Sequence, residues 1–232
     1  MVKRFMLVFL LAVIVYLVPQ AAYSGYYLRK AGILTKTEYT QNLKLGDKDK
    51  PTLKVFISGD SIAAGVGASS FETSTAGRLA SFLAMKNKLT FINEAKSGTR
   101  MAELLDLPLP LEKQNLIILI VSSNDVFHFT NLNEFDESAK RVLEKYSKLT
   151  DKMILLGPGR VSTAPALPLP LRWVYKIREQ KYADAMAKSA EKYSNIVYIK
   201  PGVPQKGTFA PDKFHPNNEG HKVWFEAIKS AI

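Results

Sequence analysis

Two short motifs near opposite ends of the chain carry residue types that could perform nucleophilic hydrolysis. Residues 59–61 read Gly-Asp-Ser and close an apolar run, and Asp212 and His215 lie near the C-terminus. A serine hydroxyl is a poor nucleophile until a base removes its proton, and the base works best when a carboxylate fixes its tautomer. A three-residue offset lets one turn present both carboxylate and imidazole. The motifs therefore predict Ser61 as nucleophile, His215 as base and Asp212 as orienting carboxylate.

Two further polar blocks lie between these motifs, and each follows an apolar run. Residues 93–98 read Asn-Glu-Ala-Lys-Ser-Gly, and residues 122–125 read Ser-Ser-Asn-Asp. Together with the serine and the histidine above, they give Ser, Gly, Asn and His in that order. The sequence here resembles the SGNH (GDSL-type) hydrolase superfamily over roughly Leu53 to Ile232, and within it a bacterial group that has an N-terminal hydrophobic segment.

The resemblance implies further roles at the site. Gly98 and Asn124 would complete an oxyanion hole with the backbone N–H of Ser61, and removal of one such donor typically costs about 3–4 kcal/mol in the barrier. No metal ion or organic cofactor is implied. One departure stands out, because Ser122 occupies a place where the family usually has glycine, and this makes the local backbone geometry an open point.

Alternating strand and helix patterns predict the elements that must position these residues. Alternating βα units favour a parallel sheet with helices on both faces, and the carboxyl ends of parallel strands meet at one edge. By resemblance the fold is a three-layer α/β/α sandwich of the flavodoxin-like, SGNH hydrolase type, with a five-stranded parallel sheet in the order 2-1-3-4-5. The predicted strands are 53–58, 89–95, 115–121, 153–156 and 196–199, and the predicted helices are 69–85, 101–105, 135–149, 171–193 and 217–231.

The N-terminus suggests a membrane segment or an export signal. Residues 5–18 are an unbroken apolar stretch behind two basic residues. This stretch has the length of a signal-peptide core, with a small-x-small cleavage site at 22–24, whereas an extension through Tyr27 would make an anchor with an interfacial tyrosine belt. A buried core helix is the third interpretation. We expect an uncleaved anchor in 1–30, a polar linker in 31–51 and a hydrolase domain in 52–232 outside the cytoplasm, in the periplasm or at the cell surface.

Composition narrows the classes of partner. The chain of 232 residues has no cysteine, which excludes disulfides and thiolate chemistry. A net charge of +11 suits either anionic lipid or cell-wall polymer, or simply a soluble basic domain. No Arg-rich or aromatic-interleaved stripe indicates nucleic acid. His128 and His221 are interpreted as surface or packing histidines, because neither lies in a motif with a metal-ligand spacing.

These observations predict a serine esterase that hydrolyses lipid, aryl or acetylated-sugar esters through an acyl-enzyme on Ser61. Two alternatives stay open: an acyltransferase or O-acetylesterase that acts on cell-wall polysaccharide, and a non-catalytic binding domain that retains the fold. The Pro-rich loop 157–170 follows the fourth predicted strand. Leu167 and Leu169 could contact the acyl chain or a lipid surface, or the loop could pack against the next helix.

Overall fold

A six-stranded mixed sheet forms the centre of the protein. The computed structural model describes residues 2–232, so Met1 of the expected anchor segment lies outside the described residues. The strand order is β1-β3-β2-β4-β5-β6, and all neighbouring pairs are parallel except β1 with β3. The strands are β1 (Leu43–Leu45), β2 (Thr52–Gly59), β3 (Lys88–Asn93), β4 (Gln114–Ile120), β5 (Thr150–Leu156) and β6 (Ile196–Ile199).

The predicted order of the parallel strands is confirmed, but the predicted count of five strands is wrong. The additional strand β1 lies in the segment expected to be a linker, and it pairs antiparallel with β3. Its three residues, Leu-Lys-Leu, are half-buried or exposed. A strand this short and exposed has no apolar run that would predict it from the sequence. It forms because the edge of β3 offers unpaired backbone groups.

Helices cover both faces of the sheet, as the α/β/α prediction requires. Strand residues alternate between two cores: Phe56 faces α4 and α5, whereas Val55 and Ile57 face α2 and α6. Burial on both faces explains why the strands are continuous apolar runs. The helices are α1 (Val2–Leu34), α2 (Thr75–Ala84), α3 (Ser123–Phe127), α4 (Leu132–Ser147), α5 (Leu169–Ala190) and α6 (Asn218–Lys229), with 3₁₀ turns at Ala102–Leu105 and Val161–Thr163.

The start of α2 differs from the prediction. The pattern of Ser69 with Glu72 predicted a helix from residue 69, but α2 begins at Thr75 with Ser74 as its N-cap. The Ser74 hydroxyl accepts a hydrogen bond from Gly77 N at 3.0 Å. The residues before it form a turn instead, in which Thr73 Oγ1 accepts from the backbone N–H of Ser70 and donates to its carbonyl.

Only the C-terminal part of helix α1 packs against the domain, and its N-terminal part extends away from it. Among residues 2–232, α1 is the one helix long and apolar enough to cross a membrane, and none of its most apolar window is buried. This exposure contradicts the interpretation as a buried core helix. Near its end, Ser24 and Ala31 are buried against the domain that contains the sheet.

Residues after α1 continue along the domain surface. The backbone N–H of Tyr39 donates to Ala64 O at 2.7 Å, and Glu38 Oε1 accepts from Ser97 N at 2.6 Å. Asn42 Oδ1 accepts from Asn93 N at 3.2 Å. The polar segment therefore connects α1 to the sheet through fixed contacts, and these three are with residues near the carboxyl ends of β2 and β3.

The two leucines of the Pro-rich segment 157–170 lie in different environments. Leu167 is 3% exposed and belongs to the core beneath α4 and α5, so its predicted contact with substrate or lipid is wrong and the packing interpretation holds for it. Leu169 opens α5 and is 62% exposed. Helix α5 begins two residues earlier than predicted because Pro170 fits the first helical turn, where no N–H is needed.

Candidate active site

Ser61 lies in a tight turn directly after β2. Gly59 has a φ of +145°, and a Cβ there would lie 1.9 Å from Ile120 O, so β2 can approach β4 this closely only with glycine. Asp60 N donates to Ile120 O at 2.8 Å, and Asp60 Oδ1 accepts from Ile62 N at 3.0 Å. These bonds hold the turn on both sides of Ser61.

Asp212 and His215 form one buried hydrogen-bonded unit. Asp212 Oδ2 lies 2.6 Å from His215 Nδ1, and Asp212 Oδ1 accepts from the backbone N–H groups of Phe214 and His215, each at 3.0 Å. Burial by itself raises the pKa of Asp212, but the bonds from His215 and the two backbone donors outweigh it and the pKa is lowered. The carboxylate thus stays ionised, and Nδ1–H donates to it, which leaves Nε2 as the basic nitrogen.

Gly98 and Asn124 follow β3 and β4, the two strands that flank β2. Gly98 has a φ of +87° with no atom within 4 Å of a Cβ position, so the backbone conformation rather than space requires glycine. Asn124 lies in the first turn of α3, and its Nδ2 donates one hydrogen to Thr99 O at 3.2 Å. The amide nitrogen carries a second hydrogen, which remains for another acceptor.

The backbone at Ser122 has the conformation that the family's usual glycine would favour. Its φ is +89°, the left-handed conformation that glycine adopts readily, and its side chain is buried. Holding a residue with a Cβ in that region costs about 1–2 kcal/mol. The turn that presents Asn124 therefore keeps a glycine-like shape although it contains serine.

Two cavities meet at the predicted site residues. Ser61, Asn124, Phe214 and His215 line both. No hydrogen bond joins Ser61 to His215 within the described chain, and such bonds often close only when substrate is bound. The first cavity, called here the loop-side cavity, has mainly apolar walls that include Val161, Ala164, Phe209, Val223 and Trp224. The second, called here the α1-side cavity, includes Leu28, Ala31, Gly32, Thr35, Gly98, Phe127 and His128.

The walls of these cavities contain residues that sequence reasoning did not single out. Leu28 lies in the segment 1–30 that was predicted to be an anchor or signal peptide, whereas Ala31 and Gly32 lie in the predicted linker 31–51. Helix α1 continues to Leu34 and therefore contains all three. Their local sequence pattern gives no functional signal, because their place in the cavity wall depends on how the C-terminal part of α1 packs against the domain. Trp224 lies three positions after His221 on α6, and its apolar character alone gave no functional signal.

The other two histidines occupy different settings. His221 is fully buried, with Nε2 3.0 Å from Val66 O and Nδ1 2.9 Å from Thr75 Oγ1. Burial lowers the pKa of His221 to about 4, which keeps it neutral and agrees with the packing interpretation. His128 lines the α1-side cavity and is exposed.

Two buried carboxyl groups adjoin the site residues in sequence. Burial raises the pKa of Asp60 to about 7, with the nearby Asp125 adding to the effect and the bond from Ile62 N opposing it. Burial likewise raises the pKa of Asp125 to about 6, although its Oδ2 accepts from Met101 N at 2.8 Å. Asp60 and Asp125 therefore hydrogen-bond the turns that carry Ser61 and Asn124 with carboxyl groups that take up protons more readily than exposed aspartates do.

Solved structures with the same architecture include several hydrolases. An alpha/beta hydrolase enzyme from the metagenome of Lake Arreo, Spain, is 19% identical, with a TM-score of 0.60 over 78% of this chain and 95% of that chain. An acetylxylan esterase from Geobacillus stearothermophilus is 15% identical, with a TM-score of 0.57 over 81% and 95%. An extracellular lipase from Streptomyces rimosus is 18% identical, with a TM-score of 0.57 over 78% and 100%. At these identities the likeness shows a common fold.

The family assignment comes from the sequence match. A comparison with curated protein sequences gave no match. The model of the family described as GDSL-like lipase/acylhydrolase matches residues 57–223, a range that contains all five predicted site residues. This match confirms the resemblance to SGNH hydrolases. Because it spans well over half of its length, the chain belongs to the GDSL-like lipase/acylhydrolase family and is a serine hydrolase that acts on ester bonds.

Proposed function

We propose that this protein is a membrane-tethered esterase that hydrolyses carboxylic esters through an acyl-enzyme on Ser61. The observation that carries the proposal is the 2.6 Å contact between Asp212 Oδ2 and His215 Nδ1 beside the cavity that Ser61 lines. This contact fixes the imidazole tautomer that leaves Nε2 as a base. A buried, ionised carboxylate also stabilises the imidazolium that forms during the reaction.

In the first half of the reaction, Ser61 Oγ bonds to the ester carbonyl carbon while its proton passes to His215 Nε2. The carbonyl oxygen becomes negative and is held by the N–H groups of Ser61 and Gly98 and by the free Nδ2 hydrogen of Asn124. The tetrahedral intermediate then collapses. The bond to the alcohol oxygen breaks, and the alcohol leaves with the proton from Nε2.

In the second half, water attacks the acyl carbon of the acyl-enzyme and gives a proton to His215 Nε2. The bond from the acyl carbon to Ser61 Oγ breaks, Ser61 recovers its proton, and a carboxylic acid leaves. The apolar loop-side cavity suits the acyl chain, because its walls are mostly hydrocarbon. The α1-side cavity then faces the alcohol part.

The proposal includes an uncleaved anchor over residues 1–30 and a domain over 52–232 that lies outside the cytoplasm, with 31–51 joining them. It is supported by the exposed apolar length of α1 and by the contacts near its end. Lys213 Nζ lies 2.9 Å from Tyr23 Oη and 4.3 Å from the centre of the Tyr27 ring. Cleavage after residue 24 would remove the first of these contacts from the turn that holds Asp212 and His215.

Replacement of the reacting groups tests the mechanism. Ser61→Ala and His215→Ala should each lower p-nitrophenyl acetate hydrolysis by several orders of magnitude, and the double variant little further, because the two groups act together. A fluorophosphonate should label the unaltered protein at Ser61. Ser70→Ala, in the turn that follows, serves as the control, and His128→Ala tests whether the histidine on the α1-side cavity acts as the base instead. Full activity in Ser61→Ala, or loss in His128→Ala with His215→Ala still active, would contradict the assigned roles.

A further inference from the structure

The first turns of α5 expose an apolar stripe. Leu169, Trp173 and Ile177 are four residues apart, so they share one helix face. Leu169 is 62% exposed and Trp173 is 68% exposed. Lys176 is also exposed and lies next to Ile177. We call Leu169, Trp173 and Ile177 the α5 patch.

The α5 patch begins where α1 leaves its apolar stretch. Gln20 Oε1 accepts a hydrogen bond from Leu169 N at 3.2 Å, and Gln20 comes directly after the apolar run and Pro19. About 20 helical residues span the hydrocarbon core of a bilayer. A helix that enters the membrane near Lys3 therefore reaches the opposite headgroup layer close to Gln20. The first turn of α5 lies at this same level.

Aromatic contacts connect the buried side of α5 to the site. Tyr175, on this buried side, stacks on Phe127 with ring centres 5.9 Å apart, and Phe127 lines the α1-side cavity. The Tyr175 ring also lies 5.4 Å from the ring of Phe129, which is half exposed. The helix that exposes the α5 patch on one face thus packs with its other face against a wall of the cavity that contains Ser61.

We propose that the α5 patch inserts into the bilayer surface beside α1, so that the α1-side cavity opens at the membrane and receives esters carried by membrane amphiphiles. An exposed face of Leu, Trp and Ile with Lys176 at its border has the composition of an interfacial helix, whose lysine reaches phosphate while its apolar side chains enter the acyl boundary. The membrane contact rests on the proposed anchor in α1, whereas the amphiphilic substrate rests in addition on the proposed esterase function.

Tryptophan fluorescence tests the membrane contact without any use of catalysis. The chain has two tryptophans, so Trp224→Phe leaves Trp173 as the single emitter. The full-length variant is reconstituted into phosphatidylcholine–phosphatidylglycerol vesicles that contain lipids brominated either near the headgroup or near the chain end. We expect a blue-shifted emission from Trp173 and stronger quenching by the shallow bromines, as is typical of an interfacial side chain.

A matched pair of variants tests the consequence for substrate supply. Leu169→Ser with Trp173→Ser should lower kcat/KM for a long-chain ester embedded in vesicles by about tenfold or more, with little change for p-nitrophenyl acetate dissolved in water. The control is Met85→Ser with Leu111→Ser, which also removes two exposed apolar side chains but precedes the amino ends of β3 and β4, at the opposite edge of the sheet. The control should leave both activities unchanged.

Several outcomes would overturn the inference. Water-like emission from Trp173 without quenching would place the α5 patch in solvent. A blue shift that ignores brominated lipid and disappears when protein is diluted in the vesicles would show a second copy of the chain covering the patch. Equal loss on both substrates would assign the two residues to folding. If the unaltered protein hydrolyses neither ester while Trp173 is quenched, the esterase proposal fails and the membrane contact stands.

Discussion

At the scale of single residues, the turns that carry Ser61 and Asn124 combine an unfavourable backbone with buried carboxyl groups. Ser122 holds a left-handed φ, and Asp60 and Asp125 are buried beside the residues proposed to react. Such features persist only where the surrounding structure holds them, and they often accompany sites that must be pre-organised. Here Asp60 accepts from Ile62 N, next to Ser61, and Asp125, next to Asn124, accepts from Met101 N.

Asn124→Ala tests the proposed oxyanion contact. The free Nδ2 hydrogen should stabilise the negative oxygen in the transition state more than the neutral carbonyl in the bound ester. We therefore expect kcat to fall by about 10²–10³ while KM changes little. Steady-state kinetics with p-nitrophenyl acetate measure both values. A rise in KM alone would make Asn124 a substrate-binding residue.

Asp60→Asn tests the buried carboxyl group. The pKa of Asp60 is raised from 3.8 to about 7, so the folded state holds its proton more tightly than the unfolded state does. The protonated Asp60 therefore contributes to the free energy of unfolding fully below about pH 4, and this contribution is lost as the pH rises through 7. The loss amounts to a few kcal/mol, because each pKa unit corresponds to about 1.4 kcal/mol. The free energy of unfolding of the unaltered protein should therefore fall relative to that of Asp60→Asn between pH 4 and 8. Asp106→Asn, at an exposed position, is the matched control.

At the scale of elements, α1 carries the proposed membrane anchor and also lines the α1-side cavity. Its first half is exposed and apolar, whereas Leu28, Ala31 and Gly32 form a wall of the cavity that also contains Gly98 and His128. Lys213, in the turn between Asp212 and His215, contacts tyrosines of the same helix. One helix thus joins the membrane segment, the proposed oxyanion side and the Asp-His turn.

Gly32→Leu tests whether the end of α1 bounds the substrate site. A Cβ on Gly32 would meet no atom within 4 Å, so a larger side chain can be added without a clash and should narrow the α1-side cavity. We expect kcat/KM to fall more for esters of bulky alcohols than for methyl esters of the same acid, since this cavity faces the alcohol. Gly25→Leu is the control, because Gly25 has equally open surroundings on α1 but does not line the cavity. Identical profiles for the two variants would remove α1 from the site.

At the scale of the whole molecule, the carboxyl ends of the parallel strands, the end of α1 and the start of α5 all meet on one side. The predicted site residues follow β2, β3 and β4, and the Asp-His turn precedes α6. The α5 helix contacts α1 at Gln20, close to the end of the apolar stretch. The arrangement brings the proposed reaction centre next to the proposed membrane surface.

Fractionation and protease access test this arrangement in cells. We expect the full chain in the membrane fraction after carbonate extraction, because a helix that spans the bilayer is not released by high pH. Protease added outside the cytoplasmic membrane should digest the domain and spare the segment before Gln20. A soluble product that starts near Gly25 would instead show a cleaved signal. Protection of the domain from external protease would reverse the proposed orientation.

The sequence by itself determined the parallel part of the sheet, its strand order through family resemblance, and the blocks that carry Ser61, Gly98, Asn124, Asp212 and His215. Buried parallel strands appear as continuous apolar runs, and each block follows such a run or forms one short turn, so local pattern was sufficient. Even the short 2.6 Å contact of Asp212 with His215 follows from a three-residue offset.

The tertiary structure alone decided the features that depend on a distant partner. Strand β1 exists because β3 presents a free edge, and α2 starts at Thr75 because Ser74 rather than Ser69 caps it. Leu167 and Leu169 are alike in sequence, yet one enters the core and the other faces outward beside Gln20. The apolar pattern of α1 predicted contact with lipid, but not that its last turns would line the cavity of Ser61. The periodicity of apolar residues indicates which residues are buried. Which neighbour buries each of them depends on how the whole chain packs.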